Sequence, residues 1–248
     1  MKITRCRSKE DLDRRAAETG AAILRAALQD YGSANIIVAT GMSQAGILEN
    51  LAASPNLDWS KITGFHLDEY VGLAATHLAS FRRYLKERFL DMAPLKEFHF
   101  INGEADPVAE CRRVGEILAR HPIQLAFVGV GENGHLAFND PPADFETEVP
   151  FRMVDLSEAS RVQQVGEHWF DRLEDVPRQA ISMSIRQILK AGQILCSVPG
   201  ARKANAVKAA LEGPITPSIP ASILQRHPRT EVFLDPESSA LLAAPGTQ

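Results

Sequence analysis

The sequence predicts an α/β fold in which a mostly parallel sheet lies between layers of helix. Three observations carry this. Apolar runs at 34–39 (ANIIVA), 125–128 (LAFV) and 194–198 (ILCSV) are too short for helices and lack polar alternation, as strands buried on both faces do. Each run empties into a turn containing glycine, at Gly41, Gly129 and Gly200. Strand-like and helix-like segments also alternate along the chain with loops of ordinary length, which is the pattern of parallel strands joined by crossover helices.

The elements follow in order. Leu12, Ala16, Ile23, Ala27 and Leu28 fall at helical spacing within residues 9–29, and Gly32 stops that helix. The strand at 34–39 ends in Thr40-Gly41-Met42-Ser43, after which Ala45, Ile47, Leu48 and Leu51 predict a helix beginning at Ser43 or Gln44. Residues 61–67 (KITGFHL) form the next strand and deliver Asp68-Glu69-Tyr70 to its carboxyl end. A helix is predicted over 77–90, capped near Ser80, then a short strand at 98–101 and an amphipathic helix over 105–119. Beyond the strand at 125–128, residues 154–156 suggest a strand edge, 157–170 a helix, and 180–183 a strand with a helical segment after it. The strand at 194–198 precedes a helix over 201–211, and a short helix at PASIL and a last strand at 231–234 complete the series.

Composition narrows the class. A chain of 248 residues, 45% apolar and 23% charged, can bury a substantial core, so we expect one domain spanning residues 1–248. A net charge of −4 without a basic run argues against nucleic acid as a partner. Cys6, Cys111 and Cys196 have no metal-ligand spacing and fit unpaired thiols in a reducing compartment. The charged N-terminus and the lack of any apolar span argue against export and membrane insertion, so a cytoplasmic location is expected.

Chemistry is expected where residues 125–145 leave the central strand. His135 and Asp140 stand in a loop punctuated by Gly129, Gly131 and Gly134, with Asn133 and Asn139 beside them. A lone histidine there would suit an ordinary surface turn, but a titratable pair at a strand exit is how parallel-sheet proteins gather reactive groups. The 40–43 turn suits either a plain N-cap serine or a phosphate held by free amides and the Thr40 and Ser43 hydroxyls. Neighbours in an extended segment point to opposite sides, so only one of Asp68 and Glu69 can face a pocket, and Asp68 is preferred. Arg202 and Lys203 open a helix, where cations oppose the dipole, so an anion is expected there unless both are simply solvated. Arg161 is either a solvated residue or an anion ligand.

FHLDEYVGL at 65–73, GVGENGHLAFNDPP at 129–142, VPGARKANAVKAALEG at 198–213 and PASILQRHP at 220–228 together resemble the glucosamine-6-phosphate deaminase (isomerase) family, a neighbour of the 6-phosphogluconolactonases. The resemblance implies a Rossmann-like three-layer α/β/α sandwich and conversion of glucosamine 6-phosphate and water to fructose 6-phosphate and ammonia. It casts Asp68 as the base moving a proton between C2 and C1, and His135 as the group opening the sugar ring, oriented by Asp140. It assigns the substrate phosphate to Thr40, Gly41, Ser43 and Lys203. No step of this chemistry requires a metal or an organic cofactor, so none is expected. The expected partner is a small sugar phosphate, and the resemblance leaves room for a homo-oligomer.

Two departures from the family pattern stand out. Asn133 occupies the place of the usual aspartate two residues before the loop histidine, which costs the imidazole an anionic partner. The segment ADFETEVPF and the short C-terminus lack the features that bind an allosteric N-acetylglucosamine 6-phosphate, so no such site is expected. A phosphosugar lactonase typically has arginine after the acidic pair and threonine after the loop histidine; Tyr70 and Leu136 stand here and favour the deaminase. A catalytically silent sugar-phosphate sensor is the third reading, supported by Asn133.

Overall fold

The computed structural model describes residues 1–244; the last four residues of the predicted domain, 245–248, lie outside the described residues. In chain order the elements are β1 (Lys2–Arg5), α1 (Lys9–Tyr31), β2 (Ala34–Val38), α2 (Ala45–Ala52), β3 (Ile62–His66), β4 (Asp68–Tyr70), α3 (Phe81–Leu85), β5 (Glu97–His99), α4 (Pro107–Leu118), β6 (Leu125–Val128), β7 (Phe151–Asp155), α5 (Glu158–Gly166), β8 (Gln179–Met183), α6 (Ile185–Leu189), β9 (Gln193–Val198), α7 (Ala204–Glu212) and β10 (Thr230–Leu234).

Seven strands form one parallel sheet in the order β1-β10-β9-β6-β2-β3-β5. The period-2 geometry of a strand sends alternate side chains to opposite faces. Ile36, Val38, Leu125 and Phe127 accordingly pack with α1 and α2, whereas Ile37, Ala126 and Val128 pack with α4, α6 and α7. Both faces are covered, and the apolar runs are continuous for that reason. From β2 the chain winds outward through β3 to β5, then returns to the other side of β2 at β6 and proceeds to β9 and β10. The segments leaving β2 and β6 therefore run apart from adjacent strand ends and open a crevice there.

A second sheet of three antiparallel strands, β4-β8-β7, stands beside this crevice and uses the Asp68–Tyr70 segment as an edge strand. Its apolar side is a small cluster of Tyr70, Phe81, Phe138, Phe170 and Ala180.

Several expectations are corrected. β1 escaped the sequence reading because it is a four-residue edge strand with only Thr4 buried. The helix predicted over 77–90 starts at Phe81 and passes into a π turn over Lys86–Leu90. The buried Glu69 carboxylate fixes that start, since it accepts hydrogen bonds from the Phe81 and Arg82 amides at 3.2 and 3.0 Å. Leu78 belongs to the preceding turn and is 69% exposed. The helix predicted from Ala201 begins as a 3-10 turn over Ala201–Lys203, and the PASIL segment is also 3-10, over Pro220–Arg226. The helix predicted over 157–170 ends at Gly166, two residues before His168 takes a positive φ of 62°. Among the described residues no helix is long and apolar enough to cross a membrane.

Close backbone approach holds β4 in place. A Cβ on Gly103 would lie 2.1 Å from the Tyr70 carbonyl oxygen, and the Gly72 amide donates to the Gly103 carbonyl at 2.7 Å. Gly103→Ala is therefore expected to displace the strand that carries Asp68 and to cost about 1–3 kcal/mol, the usual penalty of overpacking. Thermal unfolding measures this, and an unchanged melting temperature would show that the backbone yields there.

Candidate active site

The crevice between the β2 and β6 exits holds a cavity of about 590 Å³, its open mouth included. Thr40, Gly41 and Ser43 line it from the first exit, His135 from the second, Asp68 from β4 and Lys203 from the turn before α7. Six residues picked out along 164 positions of sequence, from Thr40 to Lys203, thus share one hollow.

The acidic pair divides as extended backbone requires. Glu69 turns into the protein, where its carboxylate accepts from the Tyr70 amide, the Ser80 hydroxyl and the Phe81 and Arg82 amides. Asp68 faces the cavity with 6% exposure and, among the described residues, no hydrogen-bond partner for its side chain. Burial, with a smaller push from the Glu69 charge, raises its carboxyl to about 8. A carboxylate tuned near neutrality is suited to taking a proton from carbon and returning it.

His135 is seated by its own loop. Its imidazole lies against Gly131, where a Cβ would come within 2.1 Å of the ring, so only glycine leaves room for it. On the inner side Nδ1 lies 3.3 Å from Oδ1 of Asp140 and 3.1 Å from the Ser160 hydroxyl. Asp140 also accepts from Asn133 Nδ2 at 3.0 Å and the Ser157 amide at 2.9 Å, and Ser160 donates to it closely. Burial acts to raise the Asp140 carboxyl, but the hydrogen bond and charge of His135, then Ser160 and Asn133, outweigh it and hold the group well below the usual carboxylate range. Asp140 and Asn133 stand behind the imidazole and do not line the cavity. Asn133 accepts from the His135 amide at 3.1 Å and donates to Asp140, so its side-chain hydrogen bonds go to the backbone and the carboxylate and none to the ring.

The 40–43 turn is braced from both sides. The Tyr84 hydroxyl donates to the Gly41 carbonyl at 2.8 Å, and Gln44 Nε2 bridges Ser43 Oγ and the Ser197 carbonyl at 3.2 and 3.3 Å. Lys203 is buried to 9% exposure, and among the described residues its ammonium makes no hydrogen bond or ion pair. Burial lowers its ammonium below the ordinary lysine value, while the charges of Glu167 and Glu132 oppose that change. The neighbouring Arg202 is largely exposed and lies 3.3 Å from Glu132. The two cations at this helix start therefore differ: Arg202 is exposed, and Lys203 is held against the cavity without a direct ion pair among the described residues.

Arg161 is not brought to this place. Its guanidinium donates to the Leu173 carbonyl and is absent from the cavity wall. The wall contributed by α5 went unassigned in the sequence: Gln163, Gln164 and Glu167 line the cavity, and Ser160 backs His135. Tyr70 donates to Gln164 at 2.8 Å, and Gln163 accepts from the Glu132 amide at 3.1 Å while donating to Glu167 at 2.8 Å. The signal was present, because residues 160, 163, 164 and 167 form a polar stripe at helical spacing, the pattern usually sought only in apolar residues. Among the described residues no group of three or more His, Cys, Asp and Glu side chains is arranged to hold a metal ion.

Comparison with known proteins identifies the family and the fold. Residues 7–233 match the family described as glucosamine-6-phosphate isomerases/6-phosphogluconolactonase. A glucosamine-6-phosphate deaminase of Oenococcus oeni is 36% identical over 229 residues, covering 92% of this chain and 94% of that protein. One from Bacillus cytotoxicus is 38% identical over 242 residues, covering 97% and 89% respectively. Among solved structures, a monomeric glucosamine-6-phosphate deaminase superposes with a TM-score of 0.88 at 31% identity over 97% of this chain and 100% of that one. The Trypanosoma brucei 6-phosphogluconolactonase, at 17% identity, shares the fold with a TM-score of 0.81 over 98% of both chains.

The environment of Asp68 has a measurable consequence. An aspartate in an unfolded chain ionises near pH 4, at about 3.9, whereas Asp68 in the fold does so at about 8. Its contribution to stability is fully present below the unfolded value and is lost as pH rises through the folded one. Asp68→Asn cannot ionise, so its melting temperature is expected to climb relative to the unsubstituted protein between about pH 4 and 8. Parallel melting curves across that window would show that Asp68 ionises freely in the fold.

Proposed function

The chain belongs to the glucosamine-6-phosphate isomerase/6-phosphogluconolactonase family, and from that premise we propose that it converts glucosamine 6-phosphate and water to fructose 6-phosphate and ammonia, a reaction of amino-sugar metabolism. The observation that carries the assignment is a buried, unpartnered carboxyl, Asp68, in one cavity with His135 and an anion corner made by Thr40, Gly41, Ser43 and Lys203.

The chemistry follows from those positions. The phosphate binds at the 40–43 turn against the free Lys203 ammonium, giving binding energy away from the reacting carbons and fixing where they lie. His135 takes the proton of the C1 hydroxyl and supplies one to the ring oxygen, so the bond from C1 to that oxygen breaks and an aldehyde forms. Asp68 then removes the proton on C2. The released electron pair makes a double bond between C1 and C2, and the C1 oxygen takes up the proton shed by the ammonium on C2. Asp68 returns its proton to C1, leaving an imine at C2 that water hydrolyses to the ketose and ammonia. Asp140 orients the imidazole throughout, and Asn133 helps to hold that carboxylate.

Tyr70 and Leu136, the two positions that set a deaminase apart from a lactonase, are both fully buried, and Tyr70 braces the α5 wall through Gln164. We further propose that a single domain performs this reaction in the cytoplasm, in the catabolism of N-acetylglucosamine, without an allosteric N-acetylglucosamine 6-phosphate site.

Purified protein supplied with glucosamine 6-phosphate should release ammonia and fructose 6-phosphate in equal amounts; hydrolysis of 6-phosphogluconolactone alone would overturn the proposal. Asp68→Asn should lower kcat by about 100-fold or more, the scale of general-base catalysis, while KM changes little. Exchange of the C2 proton with solvent deuterium should stop in that variant, and continued exchange would remove Asp68 from the mechanism. Lys203→Ala should instead raise KM by about 10–100-fold, the worth of a hydrogen bond to a charged group. An effect of Lys203→Ala confined to kcat would place the phosphate elsewhere.

A further inference from the structure

Ser160 is the third residue of α5, has 1% exposure, and meets two functional groups at once. Its hydroxyl donates to Oδ1 of Asp140 and lies 3.1 Å from Nδ1 of His135. The backbone holds it there: Ser157 caps α5 by accepting from the Ser160 amide at 3.1 Å, and the Ser157 amide donates to Oδ2 of Asp140 at 2.9 Å. The helix start is thus tied to both oxygens of the carboxylate, through Ser157 and Ser160.

A count of protons decides what this arrangement does. A serine hydroxyl has one proton and two lone pairs, and an ionised carboxylate has lone pairs only. With the Ser160 proton directed to Asp140, the oxygen facing Nδ1 is an acceptor, and so is the Asp140 oxygen 3.3 Å away. Nδ1 must then carry hydrogen. The opposite tautomer would turn the Ser160 proton toward Nδ1 and leave two bare oxygens in close contact. Asn133 cannot set the tautomer, because its amide is engaged with the His135 backbone and with Asp140.

We propose that Ser160 is a positioning residue that fixes His135 in its Nδ1–H form and leaves Nε2 bare toward the cavity as the proton acceptor for ring opening. The proposal rests on the assignment of His135 to proton transfer. Nε2 has no protein partner among the described residues, so its lone pair is free for the substrate. Ser160 and Asp140 together supply the link from ring to anion that the amide at position 133 does not make.

The test pairs a spectroscopic readout with kinetics. In 15N-labelled protein, the ring nitrogens of His135, identified by comparison with His135→Asn, should show a protonated Nδ1 and a bare Nε2 in the neutral ring. In Ser160→Ala the same nitrogens should report a mixture of tautomers. Its kcat should fall about tenfold or more, as is usual when a partner of a catalytic histidine is lost, with KM within about twofold, the signature of a lost transition-state interaction. Ser160→Thr, which keeps the hydroxyl, should retain the single tautomer and recover most of kcat. A single unchanged tautomer in Ser160→Ala, or a loss confined to KM and melting temperature, would overturn the proposal. If the unsubstituted protein releases no ammonia, the proposed reaction fails, and the nitrogen spectra still decide the role of Ser160.

Discussion

The buried Glu69 carboxylate is the fixed point on which the rest of this arrangement depends. A charge taken out of water must be met by donors, and here the Tyr70, Phe81 and Arg82 amides and the Ser80 hydroxyl meet it, with the Arg82 guanidinium 3.4 Å away. Through those bonds one side chain sets where α3 begins and anchors the edge strand of the small sheet. Because adjacent residues of a strand face opposite ways, satisfying Glu69 inside obliges Asp68 to face the cavity. The unpartnered carboxyl proposed as the base is thus a consequence of its neighbour being fully bonded.

Much of the fold was legible because each face of the sheet is covered by helices. Ile36, Ile37 and Val38 form an unbroken apolar run only because both sides of β2 are buried, and the same holds for β6 and β9. Elements whose boundaries depend on remote partners were harder to place. β1 has one buried side chain, and its identity as a strand comes from pairing with β10 at the other end of the chain. The start of α3 is set by Glu69, eleven residues before Ser80, so local spacing placed it too early.

The candidate site divides in the same manner. Thr40, Gly41, Ser43, Asp68, His135 and Lys203 could be picked out because each follows a strand in a fold that gathers strand exits. The α5 wall could not, since Ser160, Gln163, Gln164 and Glu167 follow no strand exit and acquire meaning only when the helix lies over the cavity. Arg161, on the same helix, looked equally eligible by residue type. A rotation of about 100° per residue places it on another side, where it holds a backbone carbonyl. On a helix the phase of a residue decides its use more than its chemistry does.

The cavity also contains charges that restrain one another. Glu167 beside Lys203 keeps the ammonium from being an isolated buried cation before any anion arrives. Tyr84 adds a mechanical connection: it rises from α3, which Glu69 caps, and its hydroxyl grips the Gly41 carbonyl of the proposed phosphate turn. One five-residue helix therefore spans the gap between the carboxyl proposed to act on carbon and the corner that would seat the phosphorus. Such a strut works as a ruler. A sugar anchored by its terminal phosphate would be gauged by carbon count, and a triose or tetrose, however well its hydroxyls were received, would hang short of Asp68.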